Sequence, residues 1–442
     1  MTTEVLSPAG DRASDKPLGL LELVAIAVGG MVGGGIFAIL GVSASMIGAY
    51  TPVAIALGGG IAALAAYSYI KLGVYYRDEG AMFSFYQRTF PNKPFAAALI
   101  GWWVSFGYIS TLALYAYTFA SYAISGFEFA DSEWARKLIA CAVVLLFTLL
   151  NLWSVKGMGK VEDLMVYAKL VILAIIAALL LNHREFTVPQ LLHDNASPGL
   201  WPVVVVASLT FVAYEGFQLV LNAVNEMDRP GRNIPLSIYI AIALVIAIYV
   251  IIALGAMLAV PFQDLIRNKE YALASAAAEM VGSWGTLLVV VGALLATSSA
   301  ISGTIFGASR QMAVVAEQGY FPAALANRSA HIPVPAIWVM FASACALILA
   351  GSLQVILEFG SVTFLLVSLL MAYANFRIRE KTGSSTLVTL MALAGLLVGT
   401  FSLFYYEATS QIEQMYFIAG LYLLLALGAW GCARHTDRAV TG

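Results

Sequence analysis

Apolar runs long enough to cross a lipid bilayer follow one another along almost the whole chain, and no motif restricts the fold as much. A membrane-spanning helix needs about 20 mostly apolar residues at a rise of about 1.5 Å each. Twelve stretches qualify: 19–48, 52–75, 95–126, 135–153, 163–182, 200–225, 235–259, 284–315, 335–351, 354–376, 386–404 and 414–433. The loops between them carry the turn formers and nearly all the charge. Of the 442 residues, 61% are hydrophobic and 11% are charged. A soluble domain is about 45–50% apolar and about 25% charged. The apolar surplus has no core to hide in and must face lipid, so the chain reads as an all-α integral membrane protein. The first, third and eighth runs exceed what a bilayer requires, which predicts tilt or a break in each.

The positive charge is lopsided. Seventeen of the 23 Lys and Arg residues, among them Arg12, Lys16, Lys71, Arg77 and Arg438, fall on the side of the two termini. Arg136, Lys137, Arg184, Arg267 and Lys269 fall on the other, and Lys169 lies inside a span. Basic loops stay cytoplasmic, so both termini are expected there, which requires an even number of spans. The polar segment Met1 to Lys16 has no apolar stretch with a cleavage site, so the first span is expected to serve as the targeting signal. Acidic residues of the opposite loops (Glu128, Asp131, Glu133, Glu407 and Glu413) read as solvated.

Two spans are interrupted. The first contains Gly29-Gly30-Met31-Val32-Gly33-Gly34-Gly35-Ile36-Phe37, five glycines within seven residues. Two small residues four apart suffice for a close helix contact; three in succession predict an unwound segment. The sixth span contains Thr210-Phe211-Val212-Ala213-Tyr214-Glu215-Gly216-Phe217-Gln218. An ionisable residue at mid-membrane depth must face protein or water. Glu215 is either a protonated carboxyl bonded between helices or part of a site. Breaks at matching places in two halves point to a transporter site. The two breaks lie five spans apart, and five is odd, so the second unit enters the membrane from the opposite side. An inverted repeat follows, spans 1–5 (19–182) against spans 6–10 (200–377), with spans 11–12 (386–433) added between short tails (1–18 and 434–442). Half-helix ends offer N–H groups to an anion and C=O groups to a cation, an arrangement that suits a zwitterion of amino-acid type.

With these features the chain resembles the amino acid–polyamine–organocation (APC) superfamily of permeases, which have the LeuT-type fold. The first-span Gly-x-Gly-Ile-Phe stands as Gly33-Gly34-Gly35-Ile36-Phe37, and the sixth-span aromatic-x-Gly-aromatic as Tyr214-Glu215-Gly216-Phe217. Glu226-Met227-Asp228-Arg229-Pro230-Gly231-Arg232-Asn233-Ile234-Pro235 resembles the loop signature that follows, and Gly303 to Met312 with Glu317 to Pro322 fits the pattern after span 8. The similarity covers nearly the whole chain.

The resemblance implies that backbone at Gly33, Gly34, Gly35 and Ile36 receives a substrate carboxylate. Phe211, Ala213, Tyr214, Glu215 and Gly216 would receive the ammonium group, with Tyr108 and Ser361 as matches on spans 3 and 10. Many members have serine where this chain has Gly34, and an apolar or amide side chain where it has Glu215. The carboxyl either favours cationic substrates or carries a coupling proton. Sodium-independent members carry a lysine at the place of Lys169, whose ammonium replaces sodium between spans 1 and 8. The expected contacts are carbonyls near Gly30 and Met31, with Ser298, Ser299 and Ser302 nearby. A lysine about 10 Å into a span can also snorkel to the interface, the plainer reading.

Other chemistry finds little support. No run ending Gly-Lys-Ser/Thr exists for direct ATP drive, and His183, His193, His331 and His435 form no zinc motif. Cys141, Cys345 and Cys432 read as small core residues, and Trp102-Trp103 and Tyr405-Tyr406 as interfacial anchors. Asp78-Glu79-Gly80-Ala81 reads as the approach to span 3. A net charge of −2 argues against nucleic acid as a partner. The expectation is a secondary transporter of the inner (cytoplasmic) membrane that carries an amino acid or amine. It is expected to be sodium-independent and proton-coupled, to sit among membrane lipid, and to need no metal or cofactor. Its rivals are a substrate/product exchanger and an ion transporter or channel on the same fold. A receptor would need a signalling domain, for which the tails are too short.

Overall fold

A computed structural model of the protein describes residues 17–78, 80–153, 155–182, 187, 198–259, 265–266, 271–329 and 332–441. Arg12, Lys16, Glu79, Arg184, Arg267, Lys269, His183, His193 and His331 lie outside the described residues, as do the side chains of His435 and Arg438.

Among the described residues, ten helical stretches of 18 residues or more are apolar enough to cross a membrane, and two shorter apolar helices, Leu20–Met31 and Val334–Ala350, accompany them. One stretch, Gly35–Tyr76, is 42 residues long and turns at Gly48 (φ 58°), so it contributes to two passes. Span 1 is Leu20–Met31 plus Gly35–Ile47, and span 2 is Thr51–Tyr76. Spans 3 to 5 are Pro94–Ile124, Glu133–Trp153 and Val155–Asn182. Span 6 opens with Leu200–Leu209, and spans 7 to 9 are Pro230–Ala259, Ser283–Glu317 and Val334–Ala350. Spans 10 to 12 are Leu353–Arg377, Thr386–Ser410 and Ile412–Thr441. Of the three over-long runs, only the first breaks; spans 3 and 8 run unbroken for 31 and 35 residues.

Local chemistry sets many of these ends. Proline occupies the first turn of spans 2, 3 and 9, where its missing N–H costs no helical bond. Ser352 caps span 10 by accepting from the Val355 N–H at 3.3 Å. Two short helices occupy corresponding places in the five-span units. Ala81–Thr89 lies between spans 2 and 3, and Ala272–Val281 between spans 7 and 8. Asp78 starts the first of them by accepting from the Gly80 N–H at 2.8 Å and by pairing with Arg88.

Span 7 packs on span 2 and on the first half of span 1, and span 2 packs on span 6. Span 3 packs on spans 4, 8, 10 and 12. Large apolar side chains left exposed, such as Leu146, Val171, Phe401, Leu423 and Leu427, lie on spans 4, 5, 11 and 12 and form the lipid-facing surface. Just before span 1, the Leu18 N–H donates to the Glu226 carbonyl at 2.8 Å, and the Asp228 N–H donates to the Leu18 carbonyl at 3.0 Å. This two-bond bridge fixes the start of span 1 to the loop between spans 6 and 7.

The expectation for Glu407 needs correction. Glu407 is not solvated: it is fully buried in span 11, as Glu358 is in span 10. Glu128, Asp131, Glu133 and Glu413 are exposed as expected. Arg136 and Lys137, at the start of span 4 as expected, are buried there; the Arg136 guanidinium donates to the Ala130 carbonyl at 2.7 Å. Trp102 is tied into the protein. Its indole donates to the Tyr320 carbonyl at 2.9 Å and packs on Phe321, holding span 3 to the segment after span 8. Cys141 and Cys345 are half-buried free thiols on spans 4 and 9.

Candidate functional site

The first break follows from hydrogen bonds that the helix cannot complete. Leu20–Met31 ends with the Val32 N–H on the Val28 carbonyl at 2.8 Å. The next donor, Gly33 N–H, turns to the Met31 carbonyl at 2.9 Å and leaves the Gly29 carbonyl without its i+4 partner. After the bend at Val32, Gly33 and Gly34 the helix restarts at Gly35. Gly34 stands at its N-cap and supplies no side-chain cap. The first-turn N–H groups at Gly35, Ile36 and Phe37 have no intrahelical acceptor and mark the positive end of the helix dipole.

The sixth span unwinds in steps. Leu200–Leu209 tightens into a 3-10 turn over Thr210–Tyr214, passes through a turn at residues 215–218 and resumes as Leu219–Asn222. Ser361 on span 10 donates to the Leu209 carbonyl at 2.6 Å, satisfying an acceptor at the end of the first helical piece. The two broken spans cross where neither has a side chain. Gly216 has φ 121°, and a Cβ there would lie 2.6 Å from the Gly30 carbonyl oxygen and 2.7 Å from the Met31 nitrogen. A Cβ on Gly35 would lie 2.8 Å from the Cβ of Ala213.

Gln218 organises the polar groups beside this crossing. Its carbonyl oxygen accepts from the Gly216 N–H at 2.9 Å, and its amide donates to Glu215 Oε2 at 2.7 Å and to the Tyr108 hydroxyl at 3.2 Å. Glu215 is buried at 3% exposure, and its Oε1 has no hydrogen-bond partner among the described residues. An unpaired buried carboxyl oxygen is costly. It either carries a proton or awaits a donor. Every residue from Met31 to Ile36 and from Thr210 to Gln218 is buried, so the crossing is closed to solvent.

Tyrosines from spans 3 and 7 close around the breaks. The Tyr115 ring lies against Gly33 and Gly34. Tyr122 donates to the Phe37 carbonyl at 3.2 Å. The Tyr249 hydroxyl reaches the Met31 carbonyl at 2.8 Å and the Ala213 carbonyl at 3.4 Å, touching both unwound segments at once.

On the far side of span 1, Lys169 is fully buried. Its ammonium donates to the Gly29 carbonyl at 2.9 Å and to the Ser299 hydroxyl at 2.8 Å, bridging spans 1, 5 and 8. Snorkelling is excluded. The Gly29 carbonyl adjoins Gly30, in the stretch where the contact was expected, and it is the carbonyl that the break orphans, whereas the Met31 carbonyl accepts from Tyr249. Ser302 accepts from Asn151 at 3.5 Å, and Ser298 is half-buried.

The structure thus brings Gly33, Gly34, Gly35, Ile36, Ala213, Glu215 and Gly216 to one crossing, with Tyr108 at its edge. Phe211 is buried in the 3-10 turn. Tyr214 faces away: its hydroxyl donates to the Ile55 carbonyl of span 2 at 2.8 Å. Ser361 braces span 6 instead of lining the crossing. Gln218, Tyr115 and Tyr249 were missed as site residues. The spacing of Tyr108, Tyr115 and Tyr122, seven residues each, places all three on one face of span 3 and was the available signal. Among the described residues no group of three His, Cys, Asp or Glu side chains is placed to hold a metal ion.

Residues 18–427 match the model of the family described as amino acid permease. The inner membrane transport protein YbaT of Escherichia coli is 31% identical over 407 residues, covering 88% of this chain and 91% of that one. The Asc-type amino acid transporter 1 of Homo sapiens is 27% identical over 367 residues, covering 79% and 68%. The cationic amino acid transporter 7, chloroplastic, of Arabidopsis thaliana is 26% identical over 376 residues, covering 80% and 64%.

Proposed function

Because the chain belongs to the amino acid permease family, we propose that it is a secondary active transporter of an amino acid or related amine, working by alternating access in the inner membrane with both termini cytoplasmic. The observation that carries this reading is the pairing at the crossing. The uncapped N-terminus of Gly35–Ile47 offers N–H groups to a carboxylate. The unpartnered Glu215 Oε1 offers an acceptor to an ammonium group or a proton. Spans 1, 2, 6 and 7 pack together and form the moving bundle, and the two breaks are its hinges. Lys169 serves as a built-in cation where sodium would otherwise sit, which makes transport sodium-independent, and a proton is the coupling ion.

Melting of the purified protein against the twenty amino acids, polyamines and decarboxylated amines, with and without sodium, tests the reading. A ligand that binds only the folded state raises the apparent melting temperature. One chemical class is expected to shift it equally with and without sodium; a shift that requires sodium would overturn the role of Lys169.

Glu215→Gln keeps the acceptor for Gln218 and removes the ionisable group. Uptake by this variant, followed from pH 5 to pH 8 in competition with acidic, neutral and cationic amino acids, is expected to lose part of its pH dependence or of its preference for cations. A profile unchanged on both counts would leave Glu215 as an interhelical hydrogen-bonding group.

A further inference from the structure

On the face that holds Leu18 and the loop between spans 6 and 7, away from the crossing, three elements enclose a cleft of about 440 Å³. They are the end of span 2, the first turns of span 7 and the segment after span 10. Lys71, Arg77 and Lys381 line it together with Gly231, Val74 and Tyr75, and among the described residues no carboxylate is in the lining. Hydrogen bonds hold the walls in place. Lys71 donates to the Gly383 carbonyl at 2.8 Å, and the Ser385 N–H donates to the Tyr67 hydroxyl at 2.7 Å. Arg77 ends span 2 in the left-handed conformation (φ 50°). Gly231 lies in the first turn of span 7, where the Arg232 and Asn233 N–H groups both donate to the Arg229 carbonyl and the Gly231 N–H has no helical acceptor, and a Cβ on Gly231 would meet nothing within 4 Å. Among the described residues no ion pair involves Lys71, Arg77 or Lys381, although Asp228 and Arg229 pair nearby.

Topology explains positive charge on this face. It does not explain three cations converging on one concavity beside a helix N-terminus, a chemistry that selects phosphate. The cleft also continues into lipid-facing surface. Leu236, Tyr239 and Ile240 follow Pro235 along span 7, and Leu387 and Leu390 follow Thr382 into span 11, all of them exposed. A phosphate seated among the cations would have its acyl chains beside these residues.

We propose that this cleft binds the phosphate group of an anionic phospholipid. The site is independent of what the protein transports. Melting of the full-length protein in detergent would be followed against phosphatidylglycerol, phosphatidylcholine and inorganic phosphate. Phosphatidylglycerol is expected to raise the melting temperature by several degrees and phosphatidylcholine to leave it unchanged. The triple variant Lys71→Gln, Arg77→Gln, Lys381→Gln is expected to lose the shift. If that variant does not fold, the single change Lys381→Gln at an exposed position should reduce the shift, while Lys93→Gln, an exposed cation outside the cleft, should not. Equal shifts for the wild type and the cleft variants would overturn the site. A shift of the same size with inorganic phosphate at matched concentration would assign the cleft to soluble phosphate and overturn the lipid as its occupant.

Discussion

Lys169→Ala is expected to lower substrate uptake into proteoliposomes at least tenfold and to destabilise the protein. Truncation removes the donor to the Gly29 carbonyl, which the break in span 1 has already deprived of its helical partner. Leaving a buried acceptor unpaired costs about 1–3 kcal/mol, and emptying the volume of a long buried side chain costs about 2–5 kcal/mol. Ser299 loses less, because its hydroxyl still donates to the Ala296 carbonyl at 3.2 Å. Lys169→Met separates packing from charge. It fills most of the volume, so the expected loss of stability falls to that of the ammonium's hydrogen bonds, yet uptake should remain as low as in the alanine variant. If the methionine variant takes up substrate normally, with an unchanged pH profile, the ammonium holds three helices together and has no part in coupling. Sodium adds a further readout: the vacated position between Gly29 and Ser299 is the place for a cation, and added sodium is expected to recover part of the stability of Lys169→Ala.

The second large effect is expected at Gly216. Its φ of 121° lies in a region that costs a residue with a Cβ about 1–3 kcal/mol. The methyl group of Gly216→Ala would also enter the backbone of Gly30 and Met31, which cannot rotate out of the way as a side chain could. Spans 1 and 6 would have to separate at their crossing, disturbing the Glu215–Gln218–Tyr108 cluster and the Tyr249 bonds together. Uptake is expected to fall more than tenfold with a lowered melting temperature. Gly60→Ala is the matched control, since a Cβ there meets nothing within 4 Å; it should transport and melt like the wild type. Similar behaviour of the two variants would mean that the crossing tolerates separation and that the breaks are not hinges of fixed geometry.

The fold was legible because lipid permits few alternatives: apolar length, glycine clusters and one acidic residue in a span each have a physical meaning that survives without coordinates. The breaks at Gly33–Gly35 and at Glu215-Gly216 were visible for that reason. What escaped the sequence depends on which way a side chain points. Tyr214 and Tyr249 are both tyrosines in apolar surroundings, yet one serves span 2 and the other both breaks. Gln218 reads as an ordinary polar residue until the turn folds its amide back onto Glu215. Glu407 sits close enough to a loop to pass for solvated, and only the packing of spans 10 and 11 buries it. The carbonyl that meets Lys169 could be narrowed to one short stretch but not to Gly29 itself, because the donor that abandons Gly29 is set by how the bend closes.

The bridge between Leu18 and the loop at Glu226 and Asp228 consists wholly of main-chain atoms. Its partners carry no proton that titrates near neutral pH and no group that salt screens, so the tether between the two interrupted helices keeps its strength across the conditions in which the crossing itself responds. Nearly any residue supplies the same N–H and C=O groups, and of the changes possible at positions 18 and 228, proline alone removes a donor. The mechanical connection at positions 18 and 228 rests on main-chain groups whatever side chain stands there.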